Sequence, residues 1–309
     1  MIEIQQIPDL NNIPPKVLKK KVPQSINNNL PKLYFSLMSV GAKNSGKSYS
    51  IVKLLKNFEE FPIKNEKGQI CPQRVILFCP TAASSANPIY TTLKYLNPDD
   101  IFLEYNDSIL LDLLQEIDDI KEEIKEREIY KKAYKNFTNK KVKYLKRDEM
   151  VLLQENDFLP PEELPPLRYD IQPIYHFILD DLIGDNKAFR AGNNAMSNLC
   201  IKHRHYGINL IYASQYSKGI PPMIRNNIDI YCLFKFANVN SVVEKIYPEV
   251  SGLLKEEEFI ELYQAATDEP HNCLVVDNHP LTEKDKRFKI NFDKIIKIKS
   301  INKNKEDVE

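Results

Sequence analysis

Short runs of consecutive apolar residues recur along this chain, separated by stretches in which apolar residues fall three or four positions apart. Leu33–Val40, Arg74–Cys79, Ile174–Leu179, Gly207–Ser214, Ile228–Phe236 and His271–Asp277 are nearly continuous in apolar and β-branched residues, and Ile101–Tyr105 is a shorter run of the same kind. Such runs predict strands buried on both faces. Tyr49–Phe58 carries Ile51, Leu54, Leu55 and Phe58 at helical spacing. Leu110 to about Arg147 repeats it with Leu110, Leu114, Ile117, Ile120 and Ile124. Further helices are predicted over Ala188–His203, Ser241–Ile246 and Lys255–Ala266. Strands alternating with helices imply an α/β fold with a central, mainly parallel sheet covered by helices on both faces.

The polar and proline-rich segments divide the chain. Residues 1–31 hold Pro8, Pro14, Pro15, Pro23 and Pro31 and read as an extended N-terminal arm. A core of residues 32–281 follows. It is interrupted by a helical, charge-segregated insertion over about residues 108–168, which closes on Pro160, Pro161, Pro165 and Pro166. Residues 282–309 read as a basic, peripheral tail. Within the insertion, residues 116–128 hold seven acids and three bases, whereas residues 129–147 hold eight bases and no acid.

Composition narrows the function less than the pattern does. Lys+Arg and Asp+Glu number 43 each among 309 residues, so affinity for nucleic acid would rest on local patches. No apolar run has the length of a membrane span, and Met1–Gln6 lacks the basic and apolar regions of a signal peptide. The five cysteines, Cys71, Cys79, Cys200, Cys232 and Cys273, form no C-x-x-C pair and read as buried thiols of an intracellular protein. Cys200, His203 and His205 lie close together but lack a convincing fourth metal ligand.

Candidate chemistry concentrates after the first strand. Gly41-Ala-Lys-Asn-Ser-Gly46-Lys47-Ser48 is G-x-x-x-x-G-K-S, the phosphate-cradling Walker A loop. Gly41, Ala42, Lys43, Asn44, Ser45, Gly46, Lys47, Ser48 and Tyr49 therefore form the candidate nucleotide-binding set. Glycines let backbone N–H groups close on a phosphate, Lys47 reaches the β and γ oxygens, and the Ser48 hydroxyl suits Mg²⁺. The helix that follows points its N-terminus at the same anion. Ile178-Leu-Asp180-Asp181 is an apolar strand running into paired carboxylates, the Walker B pattern. Asp180 is the expected Mg²⁺ partner, and Asp181 the group that orients or deprotonates the attacking water. Gln215 ends the next strand, where it would sense the γ-phosphate or position water. A phosphate loop alone would equally suit a kinase, a GTPase or a motor.

The run Arg204-His-Tyr-Gly207-Ile-Asn-Leu-Ile-Tyr-Ala-Ser-Gln215, followed by Ile220-Pro-Pro-Met-Ile-Arg225-Asn226-Asn227, resembles the sensor region of the FtsK/HerA superfamily. Within that superfamily the chain is most similar to the poxvirus-type genome-packaging ATPases of large DNA viruses and their relatives. The resemblance covers roughly residues 33–240 without the helical insertion. It implies a RecA-like P-loop NTPase of the additional-strand (ASCE) subclass that uses Mg·ATP to pump double-stranded DNA into a capsid. It further implies a homo-oligomeric ring, DNA gripped without regard to sequence, a capsid vertex or portal protein as a further partner, and no membrane. The site of action would be the host cytoplasm or a viral assembly site, with virion association also open. Family members complete their sites with an arginine from the neighbouring subunit; Arg204 is the first candidate here and Arg225 the second. Many relatives place Glu where this chain has Asp181, and the shorter side chain must then sit nearer the water. A related DNA-pumping or segregation ATPase, and a non-hydrolysing ATP-binding assembly protein, are the alternatives. Lys131–Arg147 and Lys284–Lys305 are the candidate basic paths for DNA, against the plainer reading of solvated helix faces.

Overall fold

The computed structural model describes residues 22–82, 88–182, 189, 194–215 and 220–297. The first strand pair is small: β1 (Gln24–Ser25) lies antiparallel to β3 (Ile63–Lys64). The main sheet is built from β2 (Ser36–Val40), β4 (Gln73–Phe78), β5 (Leu96–Phe102), β6 (Ile174–Asp180), β7 (Ile208–Ser214), β8 (Ile230–Phe234), β9 (Cys273–Asp277), β10 (Phe288–Ile290) and β11 (Lys294–Ile295). Its order is β11-β10-β9-β8-β2-β7-β6-β4-β5. The pairings from β8 through β2, β7, β6 and β4 to β5 are parallel, and those from β8 to β11 are antiparallel. This is the α/β, RecA-like arrangement, with an antiparallel edge added.

Two-residue periodicity divides the core into two layers. On β7, Leu210 and Tyr212 join one apolar cluster while Ile211 and Ala213 join the other. The first face carries α2 (Asp107–Thr138), α4 (Ala195–Tyr206), α6 (Val239–Lys245) and α8 (Glu256–Ala266), with the short α5 (Pro222–Arg225) and α7 (Tyr247–Val250). The second carries α1 (Lys47–Glu60), which buries Ile51, Leu54, Leu55 and Phe58 as its spacing predicts. Asn106 caps α2 by accepting from the Ser108 N–H, and Asn194 caps α4 by accepting from Ser197.

Two expectations are corrected. The helix expected over Leu110–Arg147 stops at Thr138, because Lys140 takes a left-handed φ of 56°. A short 3₁₀ turn follows at Val142–Tyr144, and α3 (Arg147–Glu155) folds back so that Leu153 meets Tyr130 and Ala133. The start of the insertion is part of the core, since Leu110, Leu113, Leu114 and Ile117 belong to the main apolar layer. Finally, the segment from Thr282 is not merely peripheral: Phe288–Ile290 pairs with β9, and Lys289 is buried with its ammonium donating to the Asn29 carbonyl at 2.7 Å. Alternating Phe288 and Ile290 carried the signal, but three residues are too few to register against a lysine-rich background. Ala188, expected to begin a helix, and residues 1–21 of the expected arm lie outside the described residues.

Candidate functional site

Three adjacent strands deliver the candidate groups to one crevice at their carboxyl ends. β2 runs into the Gly41–Ser48 loop, β6 ends at Asp180, and β7 ends just before Gln215. The Gly41 N–H donates to the Ser214 carbonyl at 3.2 Å, tying the loop to β7. Two glycines are needed for geometric reasons. A Cβ on Gly41 would meet Phe234 Cβ and Ser45 Oγ at 2.6 Å, and Gly46 has a φ of 106° at the start of α1.

Lys47 is buried, and its ammonium donates to the carbonyls of Gly41 at 2.9 Å and Ala42 at 2.8 Å. Burial lowers its pKa, while Asp181 and Asp180 pull it back up. The Ser48 hydroxyl donates to Asp180 Oδ2 at 2.9 Å. Asp180 is itself buried, and burial raises its pKa against the hydrogen bonds that favour its charged form. Asp181 is exposed, with a left-handed φ of 56° that for a non-glycine residue costs about 1–3 kcal/mol. Its carboxylate accepts from Gln215 Nε2 at 3.3 Å. These groups line a cleft of about 1060 Å³, together with Lys43, Asn44, Ser45 and Tyr49.

Residues that the motifs did not flag complete the cleft. The Tyr90 hydroxyl donates to Asp180 Oδ2 at 2.7 Å, the same oxygen that Ser48 reaches. Tyr90 is buried on a 3₁₀ turn, Pro88–Thr92, whose Ile89, Thr91 and Thr92 form another wall. Thr81 and His271 also line it. No motif marks these residues, and the apolar run that His271 opens points only to a strand, so proximity in the fold is what identifies them.

The two candidate arginines lie elsewhere. Arg204 ends α4, just before β7 begins, and donates to both carboxylate oxygens of Asp229 at 2.8 and 3.1 Å. Arg225 ends α5, just before β8, with Glu249 at 3.7 Å. Both therefore stand at the amino-terminal ends of the strands, away from the cleft of their own subunit.

The donors in the cleft fit a magnesium-bound triphosphate. Ser48, Asp180 and Asp181 offer oxygen only, as a hard cation requires. Ser45 Oγ is buried without a hydrogen-bond partner among the described residues, an unmet polar group inside the loop. No group of three or more His, Cys, Asp or Glu side chains could hold a metal by itself among the described residues. Cys200 and His203 turn instead to the carbonyls of Ile224 and Ile208. A glycine-bounded loop between a central strand and a helix, with its lysine facing paired carboxylates on a nearby strand, defines a P-loop NTPase on a RecA-like sheet.

No family profile matches the chain. It is 29% identical over 101 residues to uncharacterized protein 075L of Invertebrate iridescent virus 6, a match covering 33% of this chain and 38% of that protein. It is 27% identical over 115 residues to uncharacterized protein L437 of Acanthamoeba polyphaga mimivirus, covering 37% and 39%. The chain thus spans about two fifths of the length of the curated relatives it matches. Among solved structures it is similar to the genome packaging NTPase B204 of Sulfolobus turreted icosahedral virus 2 in complex with AMP. There the identity is 15%, the coverage 83% of this chain and 96% of that one, and the TM-score 0.44. No helix of the described residues is long and apolar enough to cross a membrane.

Proposed function

We propose that this chain hydrolyses ATP to drive double-stranded DNA into a viral capsid, acting as a homo-oligomeric ring. The observation that carries the hydrolytic part is the convergence of Lys47, Ser48, Asp180, Asp181 and Gln215 in one cleft. In the reading we favour, Lys47 exchanges its two loop carbonyls for β and γ phosphate oxygens. Ser48 and Asp180 would hold Mg²⁺, which when bound supplies charge neutralisation at those oxygens. Asp181, steadied by Gln215, orients the attacking water and accepts its proton. Arg204 or Arg225 would serve a neighbouring subunit only, given their place at the far end of the strands.

The DNA load is supported by the Arg204–Asn227 motif series and by relatives found in Invertebrate iridescent virus 6 and Acanthamoeba polyphaga mimivirus. A capsid vertex or portal protein would be the further partner. The deciding experiment compares ATP turnover with and without duplex DNA, in the native chain and in Asp181→Asn. Duplex DNA should stimulate the native chain. Asp181→Asn should keep ATP affinity and lose turnover by about 10²–10⁴-fold. Turnover indifferent to DNA in every oligomeric state would count against a DNA motor, and a fully active Asp181→Asn would remove Asp181 from its role.

A further inference from the structure

The structure separates the two basic runs of the sequence. In the C-terminal one, Lys286 is ion-paired with Glu283 and Lys289 is buried against Asn29, which leaves Lys284, Lys294 and Lys297 exposed among the described residues. In the insertion, by contrast, Lys131, Lys132, Lys135, Lys140, Lys141, Lys143, Lys146 and Arg147 are all exposed, and none makes an ion pair among the described residues. They cover the distal end of α2, the turn after it and the first residue of α3. Asp148 and Glu149 follow in the first turn of α3, where Glu149 accepts from the Lys146 backbone N–H.

This tip is a built surface. Tyr130, Ala133, Leu153 and Leu164 form a small core of their own, and Phe137 packs on Phe158 with ring centroids 5.0 Å apart. The Tyr130 hydroxyl fastens to the Leu159 carbonyl at 2.6 Å. Its placement follows from the path of α2, which starts just after the carboxyl end of β5. By Lys121 it has reached the His205 carbonyl, next to the amino-terminal end of β7. Seventeen more residues to Thr138 carry it onward by about 25 Å at 1.5 Å per residue. The cations therefore project past the end of the sheet opposite the nucleotide cleft.

We propose that this basic tip is a contact surface for the phosphate backbone of duplex DNA. The inference rests on the DNA-motor reading above and says where that load is held. Seven of the eight cations are lysines, hydrated point charges on flexible stems that suit phosphate without reading bases. Protein interfaces centre on buried aromatic anchors. Here most apolar side chains turn inward: Tyr144 is the one large hydrophobic side chain exposed between residues 130 and 147 among those described, with Ile129, Val151 and Leu159 exposed singly beside that range. Even that ring has the Lys143 ammonium 5.1 Å from its centroid. A polyanion therefore fits the tip better than an apolar partner does.

The test measures binding of a short labelled DNA duplex to the full chain across a KCl series. Lys132, Lys140, Lys141 and Lys143 are changed together to Gln; a control changes Lys255, Lys284, Lys294 and Lys297. Each neutralised phosphate contact contributes about 0.9 to the slope of log affinity against log salt. The tip variant should thus lose up to about 3.6 from that slope and bind at least about tenfold more weakly at low salt. The control should bind DNA as the native chain does, and affinity for a fluorescent ADP analogue and thermal stability should be unchanged in both. Native-like binding by the tip variant would overturn the inference and leave the motor reading standing. A native chain that binds ADP but no duplex would remove both. Binding of polyglutamate as tight as duplex binding, lost in the same variant, would overturn it in favour of an acidic protein surface.

Discussion

The two ends of one sheet use similar polar residues in opposite ways. At the carboxyl ends, Lys47 makes hydrogen bonds to its own loop that a phosphate can replace, Ser45 Oγ has no partner among the described residues, and Asp181 holds a strained backbone beside open solvent. At the amino-terminal ends one cluster of polar groups closes on itself, although Tyr175 Oη and Arg225 Nε are buried there without a partner among the described residues. His176, wholly buried, lies 3.0 Å from Gln73 Oε1 and 3.2 Å from Asn209 Nδ2. Asn209 Oδ1 accepts from the N–H groups of Tyr34 and Phe35, so its amide nitrogen must face His176 and donate. His176 is therefore neutral, with its proton on Nε2 toward Gln73. Asp229 likewise accepts from the Ser36 N–H at 2.9 Å and from Arg204. The closed cluster fixes strand register, whereas the Lys47 hydrogen bonds at the open end are ones a ligand can exchange.

Substitutions should sort along the same line. The largest effect falls at the open end, where Asp181→Asn should abolish turnover as stated above with little change in unfolding midpoint. At the closed end, Asp229→Ala should cost about 2–3 kcal/mol of stability, mainly because it strands the buried Ser36 N–H; the half-exposed Arg204 adds little. Denaturant unfolding checks this, and a loss under about 1 kcal/mol would mean that the amino-terminal end is not closed after all. Next in size is a pH effect. Burial lowers the His176 pKa from 6.5 to about 3. The unfolded chain then binds the extra proton throughout that interval, so His176 contributes full stability above pH 6.5 and loses it as pH falls toward 3. Between pH 7 and 5 this amounts to about 2 kcal/mol, and His176→Gln should remove that share of the slope. Burial also lowers the pKa values of His203 and His279, so the variant's difference from the native chain is the quantity to measure.

The smallest effect sharpens the open end. Tyr90→Phe deletes one hydrogen bond to Asp180, worth about 1.5 kcal/mol. It should raise the Mg²⁺ concentration needed for tight binding of an ADP analogue by roughly tenfold, with turnover at saturating Mg²⁺ little changed. Tyr90 would then be a positioning residue. Unaltered Mg²⁺ dependence would leave it a packing residue.

Much of this was legible in the residues. Continuous apolar runs gave the central strands, because a strand buried on both faces has no polar side to show. The phosphate loop was legible because its geometry admits few residue types: Gly41 has no room for a Cβ, and Gly46 sits at positive φ. The end of α2 was not legible, since Tyr134, Phe137 and the lysines continue a helical pattern through the turn at Lys140. Phe288–Ile290 was too short to be recognised, and only pairing with β9 makes it a strand.

The sequence by itself determined the α/β class, the loop for phosphate and the carboxylates meant to face it, since each depends on local pattern or backbone geometry. Tertiary structure alone decided what lies beside Asp180, bringing in Tyr90 across 90 residues. It also decided that Arg204 and Arg225 face away from their own cleft, and that one basic run is exposed while the other is partly buried. Those outcomes depend on strand order and on which end of a strand a residue precedes, and sheet order is set by long-range packing that no short window of sequence contains.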